Sequence, residues 1–143
     1  MDANPKKAFG DKKPPLGQVP LTALIHGALA FYDGKGKYGN RNWRENHVEA
    51  QTYVEAILRH VLLWANGEEY ARDTGVHNLG GVIASAGLLL DAQANGCLID
   101  NRVKSQAACD LLHEAEKTIA DLNRQHAERR EKMAWEVKKD FAI

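Results

Sequence analysis

The sequence predicts an all-α protein, a bundle of about four helices, and three observations lead to that class. Apolar residues recur at helical spacing through several long segments. No segment of useful length alternates apolar and polar residues as a strand does. Glycines and Asn–Gly pairs separate the helical segments. A length of 143 residues suits one domain with a real core. We expect an extended arm over residues 1–20, a helical domain over 21–103 and a C-terminal helix over 104–143.

The arm and the first helix are predicted from prolines and apolar spacing. Residues 1–20 hold all four prolines and a Lys-rich stretch, which favours an extended conformation. From Leu21 to Phe31 the apolar residues have helical spacing. The first helix should end in the sequence DGKGKYG, because Gly34, Gly36 and Gly39 weaken a helix.

The second helix is predicted from its caps. Asn46 can cap its first turn, and Glu49 stands three residues later, as in a capping box. Glu49 is also a candidate for the polar stripe of that helix, and the two interpretations stay open. The helix should continue to about Ala65 and end at the Asn66–Gly67 pair.

The third and fourth helices complete the predicted bundle. Asp73 or Thr74 can cap the third helix, which should run through Ala94. Its glycines weaken the helix but allow another backbone to approach closely; they are Gly80, Gly81 and Gly87. The fourth helix should run from Ser105 to about Phe141. It has few large apolar residues and much charge, so we expect it to pack on the bundle or to pair with another copy.

Charge is unevenly distributed, although the formal net charge is zero. Residues 1–44 have a net charge of +5, and residues 45–104 have a net charge of −4. Either the two segments neutralise each other, or they form a site for a phosphate chain with a divalent metal ion. Zero net charge weighs against a nucleic-acid binder. No run reaches the ~20 apolar residues that span a bilayer.

Two features indicate the compartment. The N-terminal sequence MDANPKKAFGDKKPP lacks the apolar core of a signal peptide. Cys97 and Cys109 have no spacing typical of a metal site. We therefore expect two free thiols in a reducing cytoplasm.

The segment YDGKGKYGNRNWRE, residues 32–45, combines cations, glycines and aromatic rings. Its cations could converge on one anion; they are Lys35, Lys37, Arg41 and Arg44. Tyr38 and Trp43 offer flat faces for a nucleobase. Neither GxGxxG nor GxxxxGK[ST] is present, so no dinucleotide fold or P-loop is predicted. The alternative is a solvated basic hairpin with Trp43 in the core.

Acidic residues form the second candidate cluster. Glu68, Glu69 and Asp73 lie within six residues, and oxygen-rich clusters of this kind bind Mg²⁺ or Mn²⁺. His60 and His77 are candidate ligands or bases, and the alternative for each is a hydrogen-bonded structural histidine.

Several ordered motifs resemble those of a known family. They are KPPLGQVP, GKGKYGNRNW, AILRHVLLWANGEE, DTGVHNLGGVIASAGLLLDA and GCLIDNRV. Between about Lys13 and Val103 the chain resembles the phage dATP/dGTP diphosphohydrolases, a branch of the MazG-like all-α nucleotide pyrophosphohydrolases. The most specific matches are Lys37-Tyr38-Gly39, Asn42-Trp43, Arg59-His60 and Gly67-Glu68.

The resemblance implies metal-dependent hydrolysis of purine deoxynucleoside triphosphates, dGTP or dATP, to the monophosphate and pyrophosphate in the domain over residues 21–103. It implies Mg²⁺ or Mn²⁺, a homo-oligomer (dimer or tetramer) and, for a phage protein, the host cytoplasm. The zero net charge and the lack of a long apolar run predict no nucleic-acid or membrane partner. The resemblance also implies a role in remodelling the nucleotide pool for 2-aminoadenine DNA.

The residue clusters and the resemblance together give the expected roles of single residues; Arg41, Arg44, Glu55 and His77 come from the clusters alone. The expected catalytic residues are Glu55, His60 and Glu68, where Glu55 or His60 is the base. The expected substrate-binding residues are Lys37, Tyr38, Arg41, Asn42, Trp43, Arg44 and Arg59. The expected metal ligands are Glu68, Glu69, Asp73 and His77.

The chain also departs from the family pattern. It reads His77-Asn78-Leu79-Gly80-Gly81 where relatives commonly read HHLGH, so two imidazoles are missing. The strict EExxE…ExxD signature of the MazG-like group is absent as well. The alternative function is therefore a catalytically inactive nucleotide-binding or oligomeric interaction protein of the same fold.

Overall fold

The structure is a computed structural model that describes residues 4–142. The elements in chain order are α1 (Pro5–Gly10), a 3₁₀ turn (Leu16–Gln18), α2 (Leu21–Tyr38), α3 (Asn42–Glu45), β1 (Val48–Glu49), α4 (Ala50–Ala65), α5 (Asn78–Ala94), β2 (Leu98–Ile99) and α6 (Gln106–Phe141). Helices dominate the described residues, so the all-α prediction is confirmed. Two compact units divide the chain, the first ending at Arg102 and the second beginning at Val103.

Helix α5 is the centre of the first unit, because both α2 and α4 pack against it. Glycines set how closely α2 approaches. A Cβ atom added to Gly80 would lie 2.6 Å from the carbonyl oxygen of His26, and one added to Gly27 would lie 2.7 Å from Cγ2 of Ile83. The expectation that glycine in α5 allows close backbone packing is confirmed at Gly80.

A short parallel pair of strands closes the α4–α5 hairpin. Val48 pairs with Leu98, and Glu49 pairs with Ile99, so β1 and β2 join the start of α4 to the end of α5. The sequence predicted no strand, since two residues are too few to show alternation. The buried core beside this pair is Val48, Leu88 and Ala92, covered by Phe31, Trp43, Tyr53, Cys97 and Leu98.

The first helix ends within the predicted sequence DGKGKYG, but Gly34 and Gly36 do not stop it. Helix α2 continues past Phe31 and includes both Gly34 and Gly36. It ends at Gly39, whose φ of 99° lies in the region that favours glycine. A glycine inside a helix costs only about 1 kcal/mol, so neighbouring interactions can carry a helix through it.

The predicted starts of the next two helices are wrong. Helix α4 begins at Ala50 after Glu49, and no side chain caps it, because residues 48–49 are paired in β1 instead of forming a capping box with Asn46. Helix α5 begins at Asn78 rather than after Asp73 or Thr74.

The N-terminal arm differs from the prediction, whereas the start of the C-terminal helix agrees with it. The arm is not extended throughout, since it contains α1 and the 3₁₀ turn, and residues 1–3 lie outside the described residues. Helix α6 begins as predicted, because the Oγ atom of Ser105 accepts a hydrogen bond from the N–H of Ala108 (3.1 Å). Cys97 and Cys109 are free thiols.

Helix α6 forms most of the second unit. Local pairs stabilise it: Arg124 lies 3.1 Å from Asp121, and the Lys139 ammonium lies 5.1 Å from the centroid of the Trp135 ring. Between residues 4 and 142, no helix is long and apolar enough to cross a membrane.

Candidate functional site

A cavity of about 630 Å³ lies among the C-terminal end of α2, α3, α4, the N-terminal half of α5 and the turn segment, residues 66–77. Its volume is within the range of small-molecule sites. The predicted site residues that line it are Lys37, Tyr38, Asn42, Trp43, Arg59, His60, Asp73 and His77. Phe31, Asp33, Tyr53 and Gly81 also line this cavity.

The last turns of α2 hold an ion pair at the cavity. Asp33 and Lys37 are four residues apart and so share a helix face. The Nζ atom of Lys37 lies 2.7 Å from Oδ2 of Asp33. The hydrogen bond to Asp33 is the main cause that raises the pKa of Lys37, so this side chain stays cationic. Because the helix continues through the glycines, this cation is held on a rigid element.

Helix α4 supplies the second cation and an imidazole. Arg59 and His60 both line the cavity, and Arg59 has no ion-pair partner among residues 4–142. Glu55, the other predicted base, lies one turn earlier and does not line the cavity. Its Oε1 atom accepts a hydrogen bond from Nε2 of Gln51 (3.0 Å).

Asn78 connects this imidazole to the turn segment. It is fully buried, and its Oδ1 atom lies 2.8 Å from Nδ1 of His60. Its Nδ2 atom donates to the carbonyl oxygen of Glu68 (2.7 Å), and its backbone N–H donates to that of Glu69 (2.8 Å). Glu68 and Glu69 therefore hold Asn78 in place through their backbone carbonyl oxygens. Their side chains do not line the cavity.

The predicted metal site does not form in one chain. Its expected ligands are Glu68, Glu69, Asp73 and His77. The Oε2 atom of Glu68 is paired with Nη2 of Arg72 at 2.8 Å, and Nδ1 of His77 accepts from the N–H of Leu79 (3.1 Å). Within the described part of the chain, no group of three or more His, Cys, Asp or Glu side chains could hold a metal ion. The residues present therefore do not fit the expected ion.

Arg41 and Arg44 lie beside a different cavity. This second cavity, of about 580 Å³, is lined by both arginines, Lys35 and Asp91. Nε and Nη2 of Arg44 donate to the two carboxylate oxygens of Asp91 (2.7 and 2.8 Å). Arg41 precedes α3 with a φ of 51°, an uncommon conformation for a residue with a side chain. The structure does not bring these two cations to the larger cavity.

Trp43 forms a wall shared by both cavities. Its Nε1–H donates to Oδ2 of Asp91 (2.6 Å), and its ring packs against Phe31 with centroids 5.5 Å apart. The hydrogen bonds from Arg44 and then from Trp43 hold the pKa of Asp91 well below its usual range. The indole is therefore fixed in orientation while it also packs against the core.

Some functional positions were missed by the sequence reasoning. Asp33 could have been found from its position four residues before Lys37. Gly81 matters because a Cβ atom there would lie 2.8 Å from Nε2 of His60, so glycine makes room for the imidazole. Asn78 appeared in the sequence only as a departure from the family pattern, and no local signal reveals its buried hydrogen bonds.

A comparison with family models agrees with the motifs found in the sequence. The model for "dATP/dGTP diphosphohydrolase, N-terminal" matches residues 3–102, which is more than half of the chain and includes every residue that lines the larger cavity. No curated protein and no solved structure matches the chain significantly. The resemblance seen in the motifs is confirmed, and the chain belongs to the dATP/dGTP diphosphohydrolase N-terminal family.

Proposed function

We propose that the chain hydrolyses a purine deoxynucleoside triphosphate, dGTP or dATP, to the monophosphate and pyrophosphate. One observation carries the proposal: seven motif residues within the family match line one cavity of small-molecule size, namely Lys37, Tyr38, Asn42, Trp43, Arg59, His60 and Asp73. The family match supports the class of reaction, and the cavity supports the position that we propose for it.

The cavity offers separate partners for the phosphates and the base. Lys37 and Arg59 are its cations, and Arg suits bidentate contact with phosphate oxygens. The rings of Tyr38 and Trp43 offer faces for stacking on the purine, and the Asn42 amide can bind the base edge. In this arrangement the triphosphate lies toward α4 and the base lies toward α3.

The chemistry requires a water molecule, a proton acceptor and charge stabilisation. Water attacks the α-phosphorus, the bond to the bridging oxygen breaks, and pyrophosphate leaves. His60 takes the proton of the attacking water, since it lines the cavity and Glu55 does not. Lys37 and Arg59 stabilise the negative charge that grows on the leaving group.

The requirement for Mg²⁺ or Mn²⁺ stays a prediction of the resemblance. In the cavity, Asp33 and Asp73 balance the charges of Lys37 and Arg59, so the charged side chains offer no net positive charge to a triphosphate. A triphosphate that carries its own divalent ion would then bind more favourably than the free anion. Turnover and equilibrium binding of dGTP with each metal and with a chelator test this.

The assay follows pyrophosphate and orthophosphate released from dGTP and dATP. We expect pyrophosphate, and we expect Arg59→Gln to lower kcat/KM about 10²–10³-fold, as loss of a transition-state donor does. Arg72→Gln is the matched control, because Arg72 pairs with Glu68 and does not line the cavity. Orthophosphate as the sole product, or equal losses in both variants, would refute the proposal.

A catalytically inactive nucleotide-binding protein is the second candidate. The missing group of three metal-binding side chains within residues 4–142 favours it, since the rings and cations for binding are still present. Binding of a non-hydrolysable dGTP analogue without turnover of dGTP would support this candidate. Binding together with pyrophosphate release would support the enzyme.

We also propose that the protein works as a homo-oligomer. Only four apolar side chains of the described residues are buried: Val48, Ala50, Leu88 and Ala92. Two helix faces remain exposed: the α2 apolar face is Leu21, Leu24 and Ile25, and the α4 apolar face is Leu58, Val61 and Leu62, with exposed fractions of 37–69%. Apolar faces of this kind mark interaction sites. The phage nucleotide-pool role and the cytoplasmic location stay predictions.

A further inference from the structure

We propose that Asn78 is a positioning residue that fixes the tautomer of His60, with the proton on Nδ1 and a bare Nε2 as the acceptor at the cavity. The catalytic meaning of this assignment rests on the proposed function. The tautomer itself is a property of the folded chain and can be measured without substrate.

The orientation of the Asn78 amide follows from its buried partners. The carbonyl oxygen of Glu68 can only accept, so the group 2.7 Å from it must be the amide nitrogen, Nδ2. The backbone N–H of Asn78 is bound to the carbonyl oxygen of Glu69, which fixes the residue from a second side. The Oδ1 atom is therefore the one that faces His60.

That orientation decides where the proton of His60 lies. An amide oxygen accepts and does not donate, so Nδ1 of His60, 2.8 Å away, must carry a hydrogen. In the neutral ring Nε2 is then an unprotonated acceptor. Within the described residues, Nε2 has no hydrogen-bond partner, and the ring lies against Gly81 where no side chain obstructs it. A bare Nε2 is what a base that takes a proton from water requires.

His77, the other imidazole of the cavity, has the opposite tautomer. Its Nδ1 accepts from the N–H of Leu79 (3.1 Å), so in the neutral ring Nε2 carries the proton. His77 is therefore a donor that can bind a phosphoryl oxygen, and His60 is an acceptor. The two lining imidazoles have complementary roles, although both look alike in the sequence.

Long-range ¹H–¹⁵N NMR of the whole 143-residue chain tests the assignment at a pH well above the ordinary histidine pKa of about 6.5. We expect the proton on Nδ1 in His60 and on Nε2 in His77, so that His77 is an internal reference. His60→Gln and His77→Gln identify the signals. A proton on Nε2 of His60, or a fast average of both tautomers, would overturn the proposal.

Two variants of Asn78 distinguish a role in positioning the His60 ring from a purely structural role. Asn78→Ala removes the acceptor, so we expect mixed tautomers and a fall in kcat of about tenfold or more, with KM changed much less. Asn78→Asp keeps an oxygen toward Nδ1 but loses the donor to the Glu68 carbonyl, so it should keep the tautomer at a lower melting temperature. An unchanged tautomer in Asn78→Ala would contradict the proposal, and if this variant fails to fold, the wild-type spectrum still decides.

The result is independent of whether the proposed function is right. The expected wild-type spectrum without turnover of dGTP or dATP would refute the proposed function and leave the tautomer assignment standing. Turnover with the proton on Nε2 of His60 would refute the assignment of Asn78 and leave the proposed function standing.

Discussion

A single carboxylate, Asp91, connects α3 to α5. It accepts hydrogen bonds from the Arg44 guanidinium and from the Trp43 indole, and both hold its pKa well below the usual range. A lowered pKa in the folded state means that the ionised carboxylate stabilises the fold above the unfolded pKa of about 3.9. That stabilisation is lost as the pH falls through this value toward the lower folded pKa.

Asp91→Asn should lower the melting temperature at neutral pH, because Arg44 loses its ionic partner. The difference between the variant and the wild type should shrink as the pH falls below about 4. Thermal unfolding followed by circular dichroism over this range measures it. Asp121→Asn, which removes the acid of a local pair in α6, is the control and should change the melting temperature little. Equal shifts in both variants would contradict the role of Asp91.

Gly81→Ala should separate stability from activity. Alanine in a helix is favoured over glycine by about 1 kcal/mol, so the helix itself gains stability. The new Cβ atom would meet the His60 ring at 2.8–3.0 Å and displace it from Asn78. We expect kcat to fall by about tenfold or more, while the melting temperature changes little because the lost hydrogen bond to buried Asn78 offsets the helix gain. Unchanged kcat would show that the position of this ring does not matter to turnover.

Site residues could be predicted from the sequence where they belong to a family motif. Motif positions such as Lys37, Trp43 and His60 do line one cavity. No local pattern predicts that Arg44 binds Asp91 instead. The contact between His60 and Asn78 depends on how α4 packs against α5, and no local pattern encodes it.

At the scale of elements, the end of α2 decides how the Lys37 cation is held. The sequence predicts a glycine-rich loop here, whereas the structure continues the helix to Tyr38 and ends it at Gly39. Gly36 has no heavy atom within 4 Å of an added Cβ atom, so space does not limit a side chain there. The two glycines therefore respond differently to alanine.

Gly36→Ala should raise the free energy of unfolding by about 0.5–1 kcal/mol, because it lies inside a helix. Gly39→Ala should lower it by about 1–3 kcal/mol, because its φ of 99° and ψ of 161° lie in a region that essentially only glycine adopts. Urea unfolding of both variants measures the two changes, and each is the control for the other. A Gly36→Ala change near zero would favour the loop that the sequence predicts.

Helix starts were the least predictable feature of the elements. The start of α4 is set by the pairing of β1 with β2, whose residues are 50 apart in the chain. The start of α5 is capped by an imidazole, His77, which is not among the preferred capping residues. The Ser105 cap of α6 follows the usual preference and was predicted correctly.

At the scale of the whole molecule, exposed apolar faces predict self-association. Light scattering with size-exclusion chromatography should give a multiple of the chain mass. Leu62→Glu, on the α4 apolar face, should reduce the assembly, since a charge there opposes burial. Val103→Glu is the control, because Val103 is an exposed apolar residue outside both faces. A monomeric wild type at all concentrations would contradict the proposed oligomer.

The central claim is that water attacks the α-phosphorus of a triphosphate bound in the larger cavity. Turnover of dGTP in ¹⁸O-labelled water, followed by mass spectrometry, tests it most directly. The account predicts the label in the monophosphate, unlabelled pyrophosphate, and loss of both products in His60→Gln. Label in the pyrophosphate, or equal turnover in His60→Gln, would contradict it.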